Sequence, residues 1–382
     1  MKPIRLAENT ITEADLGDLC DWLRTNPRLT QGDLVRAFEE AWAKWLGVQY
    51  AVMVNSGSSA LLLAYAALRQ HLGAMDVAAP AVAWPTSLPP LGFYNSLHLV
   101  DASKHSWDID PEALDRICQR YDPNVVTVVD VLGVPANRDA LMKLCTEYGF
   151  CLIEDCCGAH GAAWNGQKVG TFGDLSCFSF YYGHAMSTIE GGVVCTNDPR
   201  HHRNLLKLRS HGWAVDLNAK DRAELFALAN EDAFRERFTF YVPGFNVRST
   251  DLNAHIGLSQ MKRLDDNIAL RLKNDRYYRT RLRVHGTQIQ EPADGASPTI
   301  AVGILAQSTE HRRRIGTALA AADIECRPIG GGNMARQPFL RRGTWGDLPM
   351  ADRIHDCGFQ VPNHPELTSE DIDRVISTLV GA

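Results

Sequence analysis

The 382-residue sequence carries little that points to a membrane, a nucleic acid or a metal. No apolar run approaches the roughly 20 residues of a spanning helix. The opening segment Met1-Lys-Pro-Ile-Arg-Leu-Ala-Glu-Asn lacks the apolar core of an export leader, so a cytoplasmic protein is expected. Lysine and arginine number 39 against 45 acidic residues, a formal net charge of −6. That balance excludes a basic footprint for nucleic acid or a membrane surface. Short arginine runs at 312–314 and 341–342 read as solvated faces. The ten cysteines contain no Cys-x-x-Cys pair, and Cys156-Cys157 has no histidine at matching spacing. Neither a metal centre nor a disulfide framework is expected.

What is present is a regular alternation of strand and helix signals. Thr12-Glu-Ala-Asp15 resembles a capping box, opening a helix with Leu16, Leu19 and Leu23 on one face. A second helix carries Leu34, Phe38, Trp42 and Trp45 and ends near Gly47. Apolar strands are predicted over 50–54, 77–82, 97–100, 125–131 and 150–153, with helices over 60–68, from Pro111, and over 140–148. This order argues for an α/β unit with a mainly parallel sheet. Towards the end, strands over 297–305 and 324–327 and helices over 310–322 and 369–379 predict a smaller α/β unit. The division is placed between residues 1–255 and 256–382.

The segment from Asp174 to Gly192, Asp-Leu-Ser-Cys-Phe-Ser-Phe-Tyr-Tyr-Gly-His-Ala-Met-Ser-Thr-Ile-Glu-Gly-Gly, reads as an apolar strand, a turn, and a strand entered through two glycines. It resembles the cofactor-lysine segment of the DegT/DnrJ/EryC1/StrS sugar aminotransferases, which use pyridoxal 5′-phosphate (PLP). In that pattern the lysine follows the last Phe of Phe-Ser-Phe by four residues and precedes Glu-Gly-Gly by six. Here those counts fall on His184 and Glu190. A histidine moves protons but cannot form the covalent bond that a lysine amine makes with an aldehyde. The resemblance implies the aspartate-aminotransferase fold (fold type I) and a cofactor held non-covalently.

Other segments fall where that pattern needs them. Asn55-Ser56-Gly57-Ser58-Ser59 joins a strand to a helix, where backbone N–H groups and the helix dipole favour a phosphate. By itself it is also an ordinary capped turn; the resemblance implies that Gly57 and Ser58 bind the PLP phosphate, with Ser179 as a second donor. Asp155 ends an apolar strand at the edge where α/β sheets bind ligands. The resemblance gives it the pyridine nitrogen, and gives Trp84 the stacking position. Asn246, within Tyr241-Val-Pro-Gly-Phe-Asn-Val-Arg248, is implied to reach the phosphate of a neighbouring subunit, hence a homodimer with shared sites. Where the family has Gln or Glu for the phenolic oxygen of PLP, the sequence has Gly158, leaving that hydrogen bond to His160 or to water.

The run from Gly183 to Gly192, Ser210-His-Gly-Trp213 and Gly332-Asn-Met-Ala-Arg-Gln-Pro338 narrow the resemblance to the family's lysine-lacking GDP-4-keto-6-deoxymannose 3-dehydratase subgroup. Departures lie at Ala185, where that subgroup has a second histidine, and at Ala214-Val215. The iron–sulfur cluster of related CDP-sugar 3-dehydrases is not expected, because no cysteine lies between Cys195 and Cys326. The implied chemistry starts with glutamate converting PLP to pyridoxamine phosphate (PMP). The C3 hydroxyl is then removed from a nucleotide-linked, preferably GDP-linked, 4-keto-6-deoxy sugar, with His184 as base and Asp155 supporting the electron-accepting ring. Other histidine-mediated chemistry on a carbonyl substrate, or an inactive scaffold, are the alternatives.

Overall fold

The computed structural model describes residues 2–229, 231–293, 297–341, 343 and 345–382; Arg342 of the second arginine run lies outside them. Two helices, α1 (Glu13–Arg24) and α2 (Asp33–Leu46), precede the first strand. The capping box of α1 has both of its halves, Thr12 and Asp15. Leu16, expected on the packed face, is exposed instead. Asp15 takes the buried place because its carboxylate accepts from Ser259 Oγ at 2.6 Å and Arg263 Nη2 at 2.7 Å. In α2 the expected stripe is buried at Phe38 and Trp42, and Gly47 closes the helix with φ 94°.

The chain then lays down β1 (Tyr50–Val54), α3 (Gly57–Leu72), β2 (Asp76–Pro80), β3 (Ser96–Val100), α4 (Pro111–Tyr121), β4 (Val125–Val129), α5 (Arg138–Tyr148) and β5 (Cys151–Asp155). A two-stranded hairpin, β6 (Ala163–Trp164) and β7 (Gln167–Lys168), leads to β8 (Leu175–Ser179) and β9 (Gly192–Thr196). Seven of these strands form one sheet in the order β1-β9-β8-β5-β4-β2-β3. All neighbours are parallel except where β9 runs antiparallel to β8 and β1. Val52, Val54, Val77, Val125, Ile153 and Leu175 face the apolar side of α3 in one core layer. These strands are covered on both faces, which is why their sequences read as continuous apolar runs.

Helices α6 (Pro199–Arg209), α7 (Ala219–Ala229), α8 (Asp251–Met261) and α9 (Leu264–Val284) follow, then β10 (Gln288–Ile289), β11 (Ala301–Leu305), α10 (Thr309–Ala321), α11 (Pro349–Cys357), β12 (Gly358–Pro362) and α12 (Ser369–Val380). The three late strands form a separate antiparallel sheet, β10-β11-β12. The division predicted after residue 255 falls inside α8. Helix α9 joins the two bodies, Leu264 packing in the core around Trp42 and Phe178, and Tyr278 and Leu282 in the core of the small sheet. The strand predicted over 324–327 is reduced to single bridges from Ile324 to Ile4 and from Arg327 to Gln360. It flanks β12, which pairs with β11 and whose Gly-Phe-Gln-Val-Pro sequence has a glycine and a proline at its ends. The strand predicted from 297 begins at Ala301, because Ser297 and Thr299 are tied by side-chain hydrogen bonds to Gly133 and Asp275.

Candidate active site

A cavity of about 480 Å³ opens at the carboxyl ends of β1, β2, β4, β5 and β8. The small sheet and its approaches close it from the other side through Ile300, Ala301, Ile329 and Gln360. Gly57, Ser58, Trp84, Asp155, Ser179 and His184 all line it. Six residues spread over about 130 positions of sequence are thus brought together by one sheet edge, where α/β folds place their ligands.

The Ser56–Ser59 turn is built for close approach. Ser56 caps α3, its Oγ accepting from the Ser59 N–H at 3.0 Å. A Cβ at Gly57 would stand 2.5 Å from Ser179 Cβ and 3.0 Å from Cys157 Sγ, so only glycine brings the first turn of α3 against the end of β8. Gly192 has the same constraint, since a side chain there would run into the Ser56 backbone. The glycine pair that marked the second strand therefore lets β9 pass beneath the turn.

Asp155 is buried. Its Oδ2 accepts from Ser87 Oγ at 2.6 Å and its Oδ1 from the Cys157 N–H at 3.1 Å. Burial raises its pKa above the ordinary carboxylate value, and the Ser87 and Cys157 hydrogen bonds offset part of that rise. Ser87 is itself anchored: the Tyr65 hydroxyl, on α3, donates to its carbonyl at 2.6 Å and accepts from Thr127 at 2.6 Å. Sequence reasoning missed Ser87, Tyr65 and Thr127, which lie in unremarkable runs.

Trp84 is 59% exposed and lines the cavity. Its backbone is strapped by the segment from Gly331 to Gln337. The Gly331 N–H donates to Ala83 O at 3.0 Å and the Met334 N–H to Ala81 O at 2.8 Å. Gln337 Nε2 ties the segment to itself through Gly331 O at 2.6 Å. The Gly-Asn-Met-Ala-Arg-Gln motif thus positions the tryptophan loop.

His184 sits on a loop pinned at its neck, where the Phe180 N–H donates to Gly191 O and the Thr188 N–H to Phe180 O. The His184 carbonyl accepts from Arg271 Nη2 at 3.4 Å, and its Nδ1 has no partner among the described residues. Burial, reinforced by the Arg271 guanidinium, pushes the imidazole pKa down to about 4, so it is neutral at pH 7. His160 does not line the cavity. It is buried among Trp42, Phe178 and Phe180, its ring centroid 6.0 Å from that of His184. The cavity wall at Gly158 is formed by Ile300, whose Cδ1 would lie 3.2 Å from a Cβ added at 158. Ala185 is buried beside Met186 in the core, and neither Ala214 nor Val215 lines the cavity.

Asn246 is not brought to this cavity within one chain. It is exposed, bridges Ser210 through its backbone, and accepts from Arg248 Nε at 3.2 Å. Behind Asp155, Arg138 Nη2 binds Asp130 at 2.7 Å and its Nε binds Glu154 at 3.1 Å, all three fully buried. Asp130, Glu154 and Cys156 lie close enough to share an ion, but the guanidinium already supplies the positive charge there.

The profile of the DegT/DnrJ/EryC1/StrS aminotransferase family matches residues 9–380. The chain belongs to that family. Within the family it is 32% identical to the GDP-4-keto-6-deoxy-D-mannose 3-dehydratase of Escherichia coli O55:H7 (strain CB9615 / EPEC) over 362 residues, 92% of each chain. The solved E. coli GDP-4-keto-6-deoxy-D-mannose-3-dehydratase with bound hydrated PLP superposes with a TM-score of 0.92 at 31% identity, covering 99% of this chain and 100% of that one. A GDP-4-keto-6-deoxymannose-3-dehydratase with a trapped PLP-glutamate geminal diamine gives 0.90 at 31% identity, covering 98% and 100%. The family and fold expected from the His184 segment are those found.

Proposed function

We propose that the chain is a PLP/PMP-dependent 3-dehydratase acting on a nucleotide-linked, preferably GDP-linked, 4-keto-6-deoxy sugar with glutamate as amino donor. The observation that carries this reading is His184: it lines the same cavity as Asp155, at the family's lysine position, and no lysine lines that cavity among the described residues.

The residues fit the cofactor. Asp155 is a buried carboxylate with two neutral donors and no cationic partner among the described residues, the environment a protonated ring nitrogen completes. The Gly57–Ser58 turn offers N–H groups at a helix start, with Ser58 and Ser179 hydroxyls beside it. Trp84 offers an aromatic face. When bound, the cofactor carries the donor's amino group and electron pair to the sugar and takes up developing charge in its ring.

The chain's own groups then have distinct tasks. Asp155, fixed by Ser87 and the Cys157 N–H, holds the ring nitrogen's proton. Neutral His184 accepts and returns protons at its imidazole nitrogen. No lysine lines the cavity among the described residues, so no amine there would bond the cofactor covalently, which leaves loss of the C3 hydroxyl as the favoured outcome. Ile300 and the small sheet keep water from the reacting face. Asn246, exposed on one chain, completes the site of a second copy, so the active form is a homodimer working in the cytoplasm, where ten free thiols are at home.

Incubation of the protein with GDP-4-keto-6-deoxymannose and glutamate should give a keto sugar lighter by one oxygen, together with ammonia. Formation of the 4-amino sugar instead would make the chain an aminotransferase. Mixing inactive His184→Ala and Asn246→Ala proteins should restore activity through hybrid dimers; a fully active monomer would remove Asn246 from the site.

A further inference from the structure

Arg271 is a buried arginine on α9, 2% exposed, and no carboxylate pairs with it among the described residues. Buried guanidinium groups are ordinarily paired with acids, as Arg138 is with Asp130 and Glu154 and Arg279 with Asp275. Arg271 instead spends its donors on three carbonyls. Nη1 donates to Ile300 O at 3.3 Å and to Asn363 O, and Nη2 to His184 O at 3.4 Å. These carbonyls belong to the approach to β11, the exit from β12 and the loop of His184. Asn363 answers in kind: its Nδ2 donates to Arg271 O at 3.2 Å and to Thr299 O and Oγ1 at 2.9 Å each. One guanidinium and one amide therefore lock α9, one end of the small sheet and the His184 loop into a single joint.

We propose that Arg271 is a positioning residue for His184, fixing its loop to the small sheet and acting on the imidazole as an uncompensated positive charge. This rests on the reading of His184 as the base. The groups facing the imidazole are few. His160 lies beside it from the turn after β5, and Tyr181 from its own loop, at a ring-centroid distance of 6.3 Å. Asp155, Glu190 and Arg327 line the same cavity, and Arg327 is paired with Glu325. Among the described residues, Arg271 is the one fixed charge bonded to the His184 backbone. It favours the unprotonated ring, the form that accepts a proton. Burial lowers the guanidinium's own pKa to about 10, so the charge is present throughout the working range. A carboxylate partner would cancel that charge, which gives the unusual carbonyl-only environment a purpose.

The test separates charge from geometry with Arg271→Gln, which keeps a donor and loses the charge, and Arg271→Lys, which keeps the charge and loses the fork. The first readout is the titration of His184 by NMR of the full-length, histidine-labelled protein, its signal assigned by its loss in His184→Asn. Arg271→Gln should raise the midpoint by about one unit, while Arg271→Lys leaves it within a few tenths. The second is turnover with PLP, glutamate and the keto sugar. Arg271→Lys should lower kcat about 10-fold with KM little changed, because a loosely held loop misplaces the base. Unchanged titration in folded Arg271→Gln, or a midpoint raised as far by lysine as by glutamine, overturns the proposal. If Arg271→Gln does not fold, wild-type kcat in Arg271→Lys overturns it. None of these outcomes bears on whether His184 is the base, which fails separately if His184→Asn still dehydrates.

Discussion

On one side of the cavity the Asp155 carboxylate is held by a partner, and that partner by another: Asp155 by Ser87, Ser87 by Tyr65, Tyr65 by Thr127. Those residues come from α3, β4, β5 and the turn after β2, all rooted in the seven-stranded sheet. The His184 side is built differently. Among the described residues its imidazole Nδ1 has no partner, and its loop passes through Ile189, a β-branched residue at φ 71° that is also 47% exposed. That conformation is disfavoured for isoleucine and persists because Asn253 Nδ2 grips the carbonyls on both sides, Thr188 at 2.6 Å and Glu190 at 3.0 Å. On the proposed function, the group that holds one charge in place is locked, and the group that takes up and gives back a proton has a nitrogen without a partner among the described residues, on a clamped loop.

Replacing Asp155 breaks the locked side most severely. Asp155→Asn should lower turnover about 10²–10³-fold, as for loss of a central electrostatic stabiliser. The cofactor-free protein should nonetheless melt no lower at pH 7. The folded-state pKa of Asp155 lies above its unfolded value, so the buried carboxylate costs stability above the folded pKa and that cost disappears as the pH falls through it. The variant's advantage in thermal denaturation should therefore shrink with acidification; a variant that is less stable at pH 7 would mean that Asp155 is fully compensated within the chain.

Gly57→Ala should come next. Its Cβ must displace Ser179, an overpacking cost of about 1–3 kcal/mol. PLP affinity, followed by absorbance titration, should weaken roughly 10–100-fold, and wild-type affinity would take the turn out of the binding site. Ser87→Ala sharpens the comparison with the smallest change, deleting one hydrogen bond to a buried carboxylate, worth about 1.5–3 kcal/mol. Its signature is directional: without Ser87 the Asp155 pKa rises further, so the acid limb of the pH–rate profile moves to higher pH. An unmoved limb would show that Ser87 does not tune Asp155.

The locked side was largely legible in the sequence and its supports were not. Asp155, Gly57 and Trp84 stand at strand ends, where a parallel sheet places its ligand residues; periodicity placed the strands, and the family resemblance singled out these residues at their ends. Ser87, Tyr65 and Thr127 act through contacts between elements 22 to 68 residues apart, which no local pattern encodes. The same holds for Ile300, the wall at Gly158, and for Arg271, which reads as one more charged residue on a helix. His160, two residues past Gly158, reads from sequence as either a site group or a core histidine, and its place among Trp42, Phe178 and Phe180 favours the second. β12 was missed because edge geometry, not strand propensity, makes it a strand.

The central claim is that His184 works as a base with no covalent hold on the cofactor. It is tested most directly by comparing the wild-type protein with His184→Asn, which keeps the side chain's size and removes its basicity. After loading with PLP, borohydride should leave no cofactor fixed on any lysine of the wild-type protein. His184→Asn should still bind PLP while release of the C3 oxygen from the 4-keto sugar nucleotide, followed by mass, falls about 10²–10⁴-fold. Near wild-type dehydration by His184→Asn, or a borohydride-fixed lysine adduct in the wild type, would contradict the account.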